Sequence, residues 1–515
     1  MAIEIFVVTV AVAIQLLVSP IPEASTIKIL LSYFAGNCAV LAWQFQTTQA
    51  VKTAFPGPKS AAISKLWAAN QCRLGRTVLT LKRLHEQYDS DIIRIGPNEV
   101  SINNVEAVHT IYKGRYQRGF FYEFRASNGE LNLNTTRDYA KHSAWRKIWE
   151  RAFSPTEILN YNKRVEHHAE KFITILKSQR GAAVNCSKLM DDLMFDITMD
   201  LGFGSDAGMQ DGMGDGQYIQ FLHKYACTVT VLSALRNAGE LLCYLPVSAE
   251  VKAFRERGKQ VVNDRQRSEA VRTDVFRHFL HCELDPGVQF SQTDLNTNAL
   301  LILGAGTETT SSTASQILRL LAENPCIQSK LRAELDSHCS IETKLTVEMT
   351  RNLPYLNAVV SEGLRLVNPV PSGVPAITPP DGVYIGDVYI PGNVEVRIPS
   401  QVLMTDSRYF PQGGQFIPER WTGEMPELIL DRRAYIPFGY GVHSCIGRQV
   451  ALNEMRLVVG RVVKEFIISL GELYDAKQFS LQTKDYLTVQ LASLPLKFTP
   501  RPKNADSNRG GEIYS

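Results

Sequence analysis

Phe438-Gly439-Tyr440-Gly441-Val442-His443-Ser444-Cys445-Ile446-Gly447 decides the fold of this chain. One cysteine stands in a glycine-rich loop, and an amphipathic helical pattern follows from Arg448 to about Phe466. A thiolate at a helix N-terminus is favoured by the helix dipole and by free backbone N–H groups. The glycines let the backbone pass close to something flat and bulky without Cβ collisions. Phe438 is placed to cover the sulfur from the side. These are the needs of a thiolate that serves as axial ligand to a haem iron. By composition alone a lone cysteine is more often a small buried hydrophobe, but Phe-x-x-Gly-x-x-x-Cys-x-Gly is too particular for that. A zinc site built on His443 and Cys445 lacks a second Cys or His cluster to complete it.

Working outward, 515 residues with a formal net charge of +3 allow a large buried core. The charge is too small, and basic runs with interleaved aromatics too few, for a nucleic-acid binder. Nine cysteines, an odd number without repeating spacing, argue against a disulfide framework and for a reducing compartment.

Ile5–Val18 is almost continuously apolar, Pro20 and Pro22 interrupt it, and Ile27–Trp43 is a second apolar stretch. A bilayer-spanning helix needs roughly 20 residues, and no basic n-region marks a signal peptide. Lys52, Lys59, Lys65, Arg73 and Arg76 follow, which places the rest of the chain in the cytoplasm. We therefore expect a membrane anchor of one or two apolar segments over residues 1–48. A stiff proline-rich hinge follows over 49–62, containing Phe55-Pro56-Gly57-Pro58. One folded domain spans 63–502, and a polar disordered tail 503–515. Two buried core helices are the plainer reading of the apolar stretches, but their terminal position and the proline break count against it.

Within the domain, Asp91–Asn103 reads as a hairpin turning at Gly96-Pro97-Asn98, and Tyr139–Cys282 is mostly helical. Thr293–Ala322 is the longest helical pattern, with Ser291 or Thr293 as cap and Asn324-Pro325 as stop. Helices near Ile327–Ser337 and Tyr355–Leu366, and a strand–turn–strand over Val383–Pro399 turning at Pro391-Gly392-Asn393, follow. Short strands at Tyr486–Leu491 and Leu496–Phe498 close a mainly α fold with a small β portion.

On the long helix lies Gly304-Ala305-Gly306-Thr307-Glu308-Thr309-Thr310. Each interior glycine costs roughly 1 kcal/mol against alanine, and hydroxyls can bond back to the backbone and bend it. Together they predict a locally opened helix with room for dioxygen, where Glu308 and Thr309 supply a proton route. A helix crossing packed with small residues is the plainer reading. Glu362 and Arg365 share a helix face at i, i+3; apolar neighbours suggest burial, and a buried pair wants a further partner, for which Arg420 is placed. His142 and Arg146, one turn apart, suit an anionic group, or else a solvated basic face.

Taken in order, these residues resemble the cytochrome P450 family over essentially the whole chain. The likeness is to membrane-anchored fungal members of secondary metabolism, as in Arg94-Ile95-Gly96-Pro97-Asn98-Glu99. It implies the single large domain of the P450 fold enclosing haem b, with Cys445 as iron ligand. Phe438, Gly441, His443, Gly447, His142, Arg146, Ala305 and Gly306 would line the cofactor. Glu308 and Thr309 match the acid–alcohol pair, and Glu362, Arg365 and Arg420 the structural triad. Three positions depart from the family pattern around the haem propionates: His443, two before the cysteine, stands where Arg is common; His142 takes the first position of the Trp-x-x-x-Arg helix motif; and Ala376 stands where many relatives place an Arg. Imidazole, unlike guanidinium, loses its charge near neutrality. The expectation is that haem retention rests on Arg146 and two histidines and weakens above neutral pH.

The implied activity is O2- and NADPH-dependent monooxygenation of an apolar small molecule by a monomer. No dinucleotide fingerprint is present, since Ser444 stands where glycine is wanted. Electrons must come from a partner, by resemblance an NADPH–cytochrome P450 reductase on the endoplasmic reticulum membrane. Arg448, Arg456, Arg461 and Lys464 are candidates for its docking face. Substrate contacts are expected from Gly119–Asn134, Tyr218–Leu245, the long helix before Gly304, and Val370–Ile377. Phe120, Phe121, Tyr122 and Phe124 suggest an aromatic or terpenoid ligand. The competing readings are an O2-independent isomerase or dehydratase, which would tend to lose the acid–alcohol pair kept here, and a haem-thiolate sensor without turnover.

Overall fold

A computed structural model describes residues 54–114, 116–122, 131–235, 248–268, 273–281, 289–340 and 342–502. The expected anchor and tail lie outside these residues. Among the described residues no helix is long and apolar enough to cross a membrane.

The principal helices are α1 (Leu66–Leu74), α2 (Thr77–Tyr88), α3 (Tyr139–Ala152), α4 (Pro155–Ser178), α5 (Cys186–Phe203), α6 (Gln217–Ala234) and α7 (Ala249–Arg267). They continue with α8 (Gln292–Glu323), α9 (Pro325–His338), α10 (Pro354–Leu366) and α11 (Arg448–Glu465). The strands are β1 (Ile92–Gly96), β2 (Glu99–Ile102), β3 (Ala183–Asn185), β4 (Ala376–Ile377), β5 (Val383–Ile385) and β6 (Val388–Ile390). β7 (Glu395–Arg397), β8 (Phe466–Leu470), β9 (Lys484–Tyr486), β10 (Thr488–Gln490) and β11 (Pro495–Pro500) complete them.

One sheet runs β1-β2-β7-β4 and a second β3-β11-β8; β5–β6 and β9–β10 are separate hairpins. The expected single turn at Pro391–Asn393 is therefore two features. β5 and β6 pair with each other, and the chain then crosses to β7, which pairs parallel with β2. The proline-rich stretch is fastened to β1: Arg94 donates its backbone N–H to Pro56 O (2.7 Å) and its guanidinium to Gly57 O (3.0 Å).

The helices share one apolar core, and β1, β2, β4 and β7 border a second. α8 runs through the first. Its 32 residues span on the order of 48 Å at ~1.5 Å per residue. Ser291 caps it: its hydroxyl accepts from Asp294 N and its own N–H donates to the Asp294 carboxylate.

The expected opening at Gly304–Thr310 is not found; α8 is continuous there. The glycines serve helix crossings instead. A Cβ on Gly306 would stand 2.8 Å from Thr198 Oγ1 of α5, and one on Gly304 would stand 3.4 Å from Leu222 of α6. Without side chains at these two positions the neighbouring helices come close while the backbone ladder of α8 stays intact.

Candidate haem-thiolate site

The loop before α11 is set by hydrogen bonds and left-handed glycines. Cys445 N–H donates to Phe438 O at 2.8 Å, closing the turn. Gly439 and Gly441 have φ of 70° and 71°. A Cβ on Gly441 would lie 1.9 Å from Tyr112 O, so that position admits no side chain. Gly447 precedes the first turn of α11. The Cys445 side chain is exposed, although the protein around it is dense enough for desolvation to push the thiol above its usual range. The Gly447 and Arg448 amides and the charges of Arg146 and Arg448 pull the other way. Ligation to a metal ion would remove that proton outright.

Around α8 each residue of the motif faces a different neighbour. Ala305 is exposed midway along a helix whose flanks are in the core. Thr309, one turn on, shares that side, and its hydroxyl donates to Ala305 O (2.7 Å). Gly306 and Thr307 meet Thr198 of α5, so Gly306, expected to line the cofactor, is a crossing glycine. Glu308 is buried against β10 and α6: Thr488 Oγ1 donates to its Oε2 at 2.7 Å, and His223 Nε2 lies 3.6 Å from its Oε1. Burial, with the nearby Asp191 charge, raises its carboxyl to about 7 against the pull of the Thr488 hydrogen bond.

His142 and His443 meet, Nε2 of the first lying 3.1 Å from Nδ1 of the second. Burial, then Arg118, lowers His142 to about 4 and His443 to about 2, with Arg146 adding to both. The surroundings of both imidazoles disfavour the charge on which haem retention was expected to rest.

The lasting charge comes from Arg146, whose Nη1 donates to Ser444 O (2.8 Å), and from Arg118, which the sequence reading missed. Arg118 is buried, and its Nε has no hydrogen-bond partner among the described residues. It sits opposite Ala376 in an antiparallel bridge, flanked by Gly119 N–H to Pro375 O and Ile377 N–H to Gln117 O. The guanidinium absent from position 376 is thus supplied from the facing strand segment. The signal was the alanine itself, but its partner lies 258 residues away. A buried guanidinium whose Nε has no hydrogen-bond partner among the described residues, together with Arg146 and two imidazoles around the loop that carries the exposed Cys445 thiol, fits a planar group carrying carboxylates. These residues would hold a haem.

The structural triad is assembled and buried. Glu362 Oε1 accepts from Arg365 (2.8 Å), Arg420 (2.9 Å) and Ile417 N–H (3.0 Å); Oε2 accepts from Arg365 (2.8 Å) and Trp421 Nε1 (2.8 Å). Arg365 also donates to Met404 O, Gly413 O and Gln415 O, so all its N–H groups are used.

Two expectations on α11 fail. Arg461 and Lys464 are buried, bonded to Leu345 O and Glu166 O and to Ser340 O and Thr343 O respectively. Only Arg448 and Arg456 of the proposed docking face reach the surface. The aromatic run is also committed: Phe121 and Tyr122 are buried, with Arg397 and Arg118 against their rings. Phe124 lies outside the described residues.

The family model described as Cytochrome P450 matches residues 76–493. Cytochrome P450 monooxygenase FCK2 of Fusarium pseudograminearum (strain CS3096) is 31% identical over 453 residues, covering 87% of this chain and 82% of that protein. Tryprostatin B 6-hydroxylase of Aspergillus fumigatus is 29% identical, covering 86% and 80%. The crystal structure of the cytochrome P450DA heme domain superposes with a TM-score of 0.70 at 21% identity, covering 82% of this chain and 93% of that one, and agrees in fold. The chain belongs to the cytochrome P450 family. It is accordingly a P450 monooxygenase, an oxidoreductase that uses a haem cofactor, O2, a small-molecule substrate and a redox partner.

Proposed function

We propose that this enzyme oxidises an apolar small molecule, an intermediate of fungal secondary metabolism, with haem b on Cys445 and electrons from NADPH through a P450 reductase. The observation that carries the reading is the Cys445 thiol, exposed at the start of α11 and flanked by the charges of Arg146 and Arg448, with the buried Arg118 near His443 of the same loop. The tryprostatin hydroxylase among the relatives supports the substrate class. The two N-terminal apolar stretches support an endoplasmic reticulum anchor with the domain facing the cytoplasm.

When bound, a thiolate-ligated haem supplies oxygen activation. The chain supplies the rest. Arg118 and Arg146 would hold the haem carboxylates, and the Gly447 and Arg448 amides face the Cys445 sulfur. Ala305 keeps one side of α8 low so that a substrate can lie close. Thr309 offers a hydroxyl on that same side, and Glu308 holds a proton one residue away.

The experiment is NADPH consumption by the purified protein with added reductase, across a panel of apolar aromatic and terpenoid compounds. Reductase-dependent appearance of a product heavier by one oxygen supports the reading. Absence of any such product from the whole panel, with haem in place, contradicts it and favours a non-catalytic sensor.

A further inference from the structure

Glu308 is buried, and its two oxygens are treated differently. Oε2 is fixed by the Thr488 hydroxyl; Oε1 has no hydrogen-bond partner among the described residues, and His223 Nε2 lies 3.6 Å from it. His223 bridges two environments: its side chain is 29% exposed while Glu308 is 5% exposed. The arrangement is held from outside. Gln490 of β10 donates to His223 O (3.1 Å), and Thr230 of α6 donates to Tyr486 O (3.0 Å). The hairpin that fixes the carboxyl is therefore tied to the helix that carries the imidazole, and it turns on Leu487 at φ 72°. Among the described residues, His223 of α6 lies beside Glu308 and the charge of Asp191 on α5 acts on it. Thr309 has its hydroxyl engaged on Ala305, on another side of α8.

We propose that His223 is the proton inlet of this enzyme, passing solvent protons to Glu308 Oε1 while Thr488 holds the carboxylate in the receiving position. The transfer balances without net charge on the ring: a solvent proton adds at Nδ1 as the Nε2 proton leaves for Oε1, and exchange with solvent restores the starting tautomer. Rotation of the protonated Glu308 side chain away from Thr488 then carries the proton round α8 towards Thr309. The inlet rests on the monooxygenase reading above. His223 acts only through Glu308 and is a positioning and relay residue.

The test follows the infrared carbonyl band of the protonated Glu308 carboxyl in the resting holoprotein, identified by its loss in Glu308→Gln. After transfer to D2O, the band should shift at least about tenfold more slowly in His223→Gln than in the wild type, a modest share of the ~10²–10⁴ that positioned proton transfer supplies. Thr488→Val should exchange at the wild-type rate but titrate at higher pH, because the bond lost is one to the charged form. In turnover, His223→Gln should divert more NADPH electrons to peroxide. Equal exchange rates in wild type and His223→Gln overturn the inlet, and an unmoved titration in Thr488→Val overturns the clamp. If His223→Gln does not retain haem, His223→Phe is read the same way. A wild-type protein that retains haem and yields oxygenated product, yet shows equal exchange, loses only the inlet. One that never yields product loses the functional reading.

Discussion

His142 of α3 and His443 of the cysteine loop touch ring to ring, with centroids 4.3 Å apart and Nε2 3.1 Å from Nδ1. Only one of the two nitrogens can carry the shared proton, and Arg118 and Arg146 disfavour a second. Haem loss to an excess of a haem scavenger should therefore be flat from pH 7 to about 9, as both guanidinium groups stay charged throughout. Arg118→Leu should speed the loss by about 10- to 100-fold at every pH in that range, the equivalent of one charge-assisted hydrogen bond. A loss rate that climbs through neutrality in the wild type would return the histidines to the leading role.

The triad should behave as a buried network. Glu362→Ala leaves Arg365 and Arg420, both almost wholly buried, without their shared counter-charge. Loss of one partner from such a pair typically costs about 3–5 kcal/mol. Denaturant unfolding of the haem-loaded protein should show that loss. A change under 1 kcal/mol would mean that the backbone carbonyls around Arg365 suffice.

Gly439 and Gly441 share a left-handed conformation but not the same space. Gly439→Ala should cost about 1–2 kcal/mol, the strain of an L-residue at positive φ, since its Cβ would meet only Ser444 Cα at 3.9 Å. Gly441→Ala drives a Cβ into Tyr112 O and should abolish haem incorporation. The ratio of haem absorbance to protein absorbance in the two purified variants separates the cases.

Glu454 of α11 is buried, and burial raises it to about 7 against the hydrogen bond from Thr310. Its folded-state value lies above its unfolded 4.5, so the folded protein binds the extra proton. The stabilisation from that proton is fully present below pH 4.5 and is lost as pH rises through 7. Glu454→Gln should flatten the fall in stability between pH 5 and 8 by up to about 3 kcal/mol, at ~1.4 kcal/mol per pKa unit. Parallel curves for variant and wild type would contradict this.

What was readable in the sequence was what a local pattern fixes. The cysteine loop, the ends of α8 and Glu362 with Arg365 are set by residues within one turn or loop of each other, and Arg420 entered through its own short motif. Arg118 was not readable, because its place is set by a bridge to Ala376 across the sheet. The glycines of α8 were misread as an opening because Thr198 and Leu222, which they admit, lie on other helices. Arg461 and Lys464 looked like a surface face, yet their charges end on loop and helix carbonyls that α11 packs against.

The central claim is that Cys445 is the thiolate ligand of the haem. The carbon monoxide difference spectrum of the reduced protein tests it most directly, in the wild type and in Cys445→Ser. The account predicts a band displaced to the thiolate position in the wild type and its complete loss in the variant. A displaced band that persists in Cys445→Ser, or a wild-type band at the position of a nitrogen-ligated haem, would contradict it.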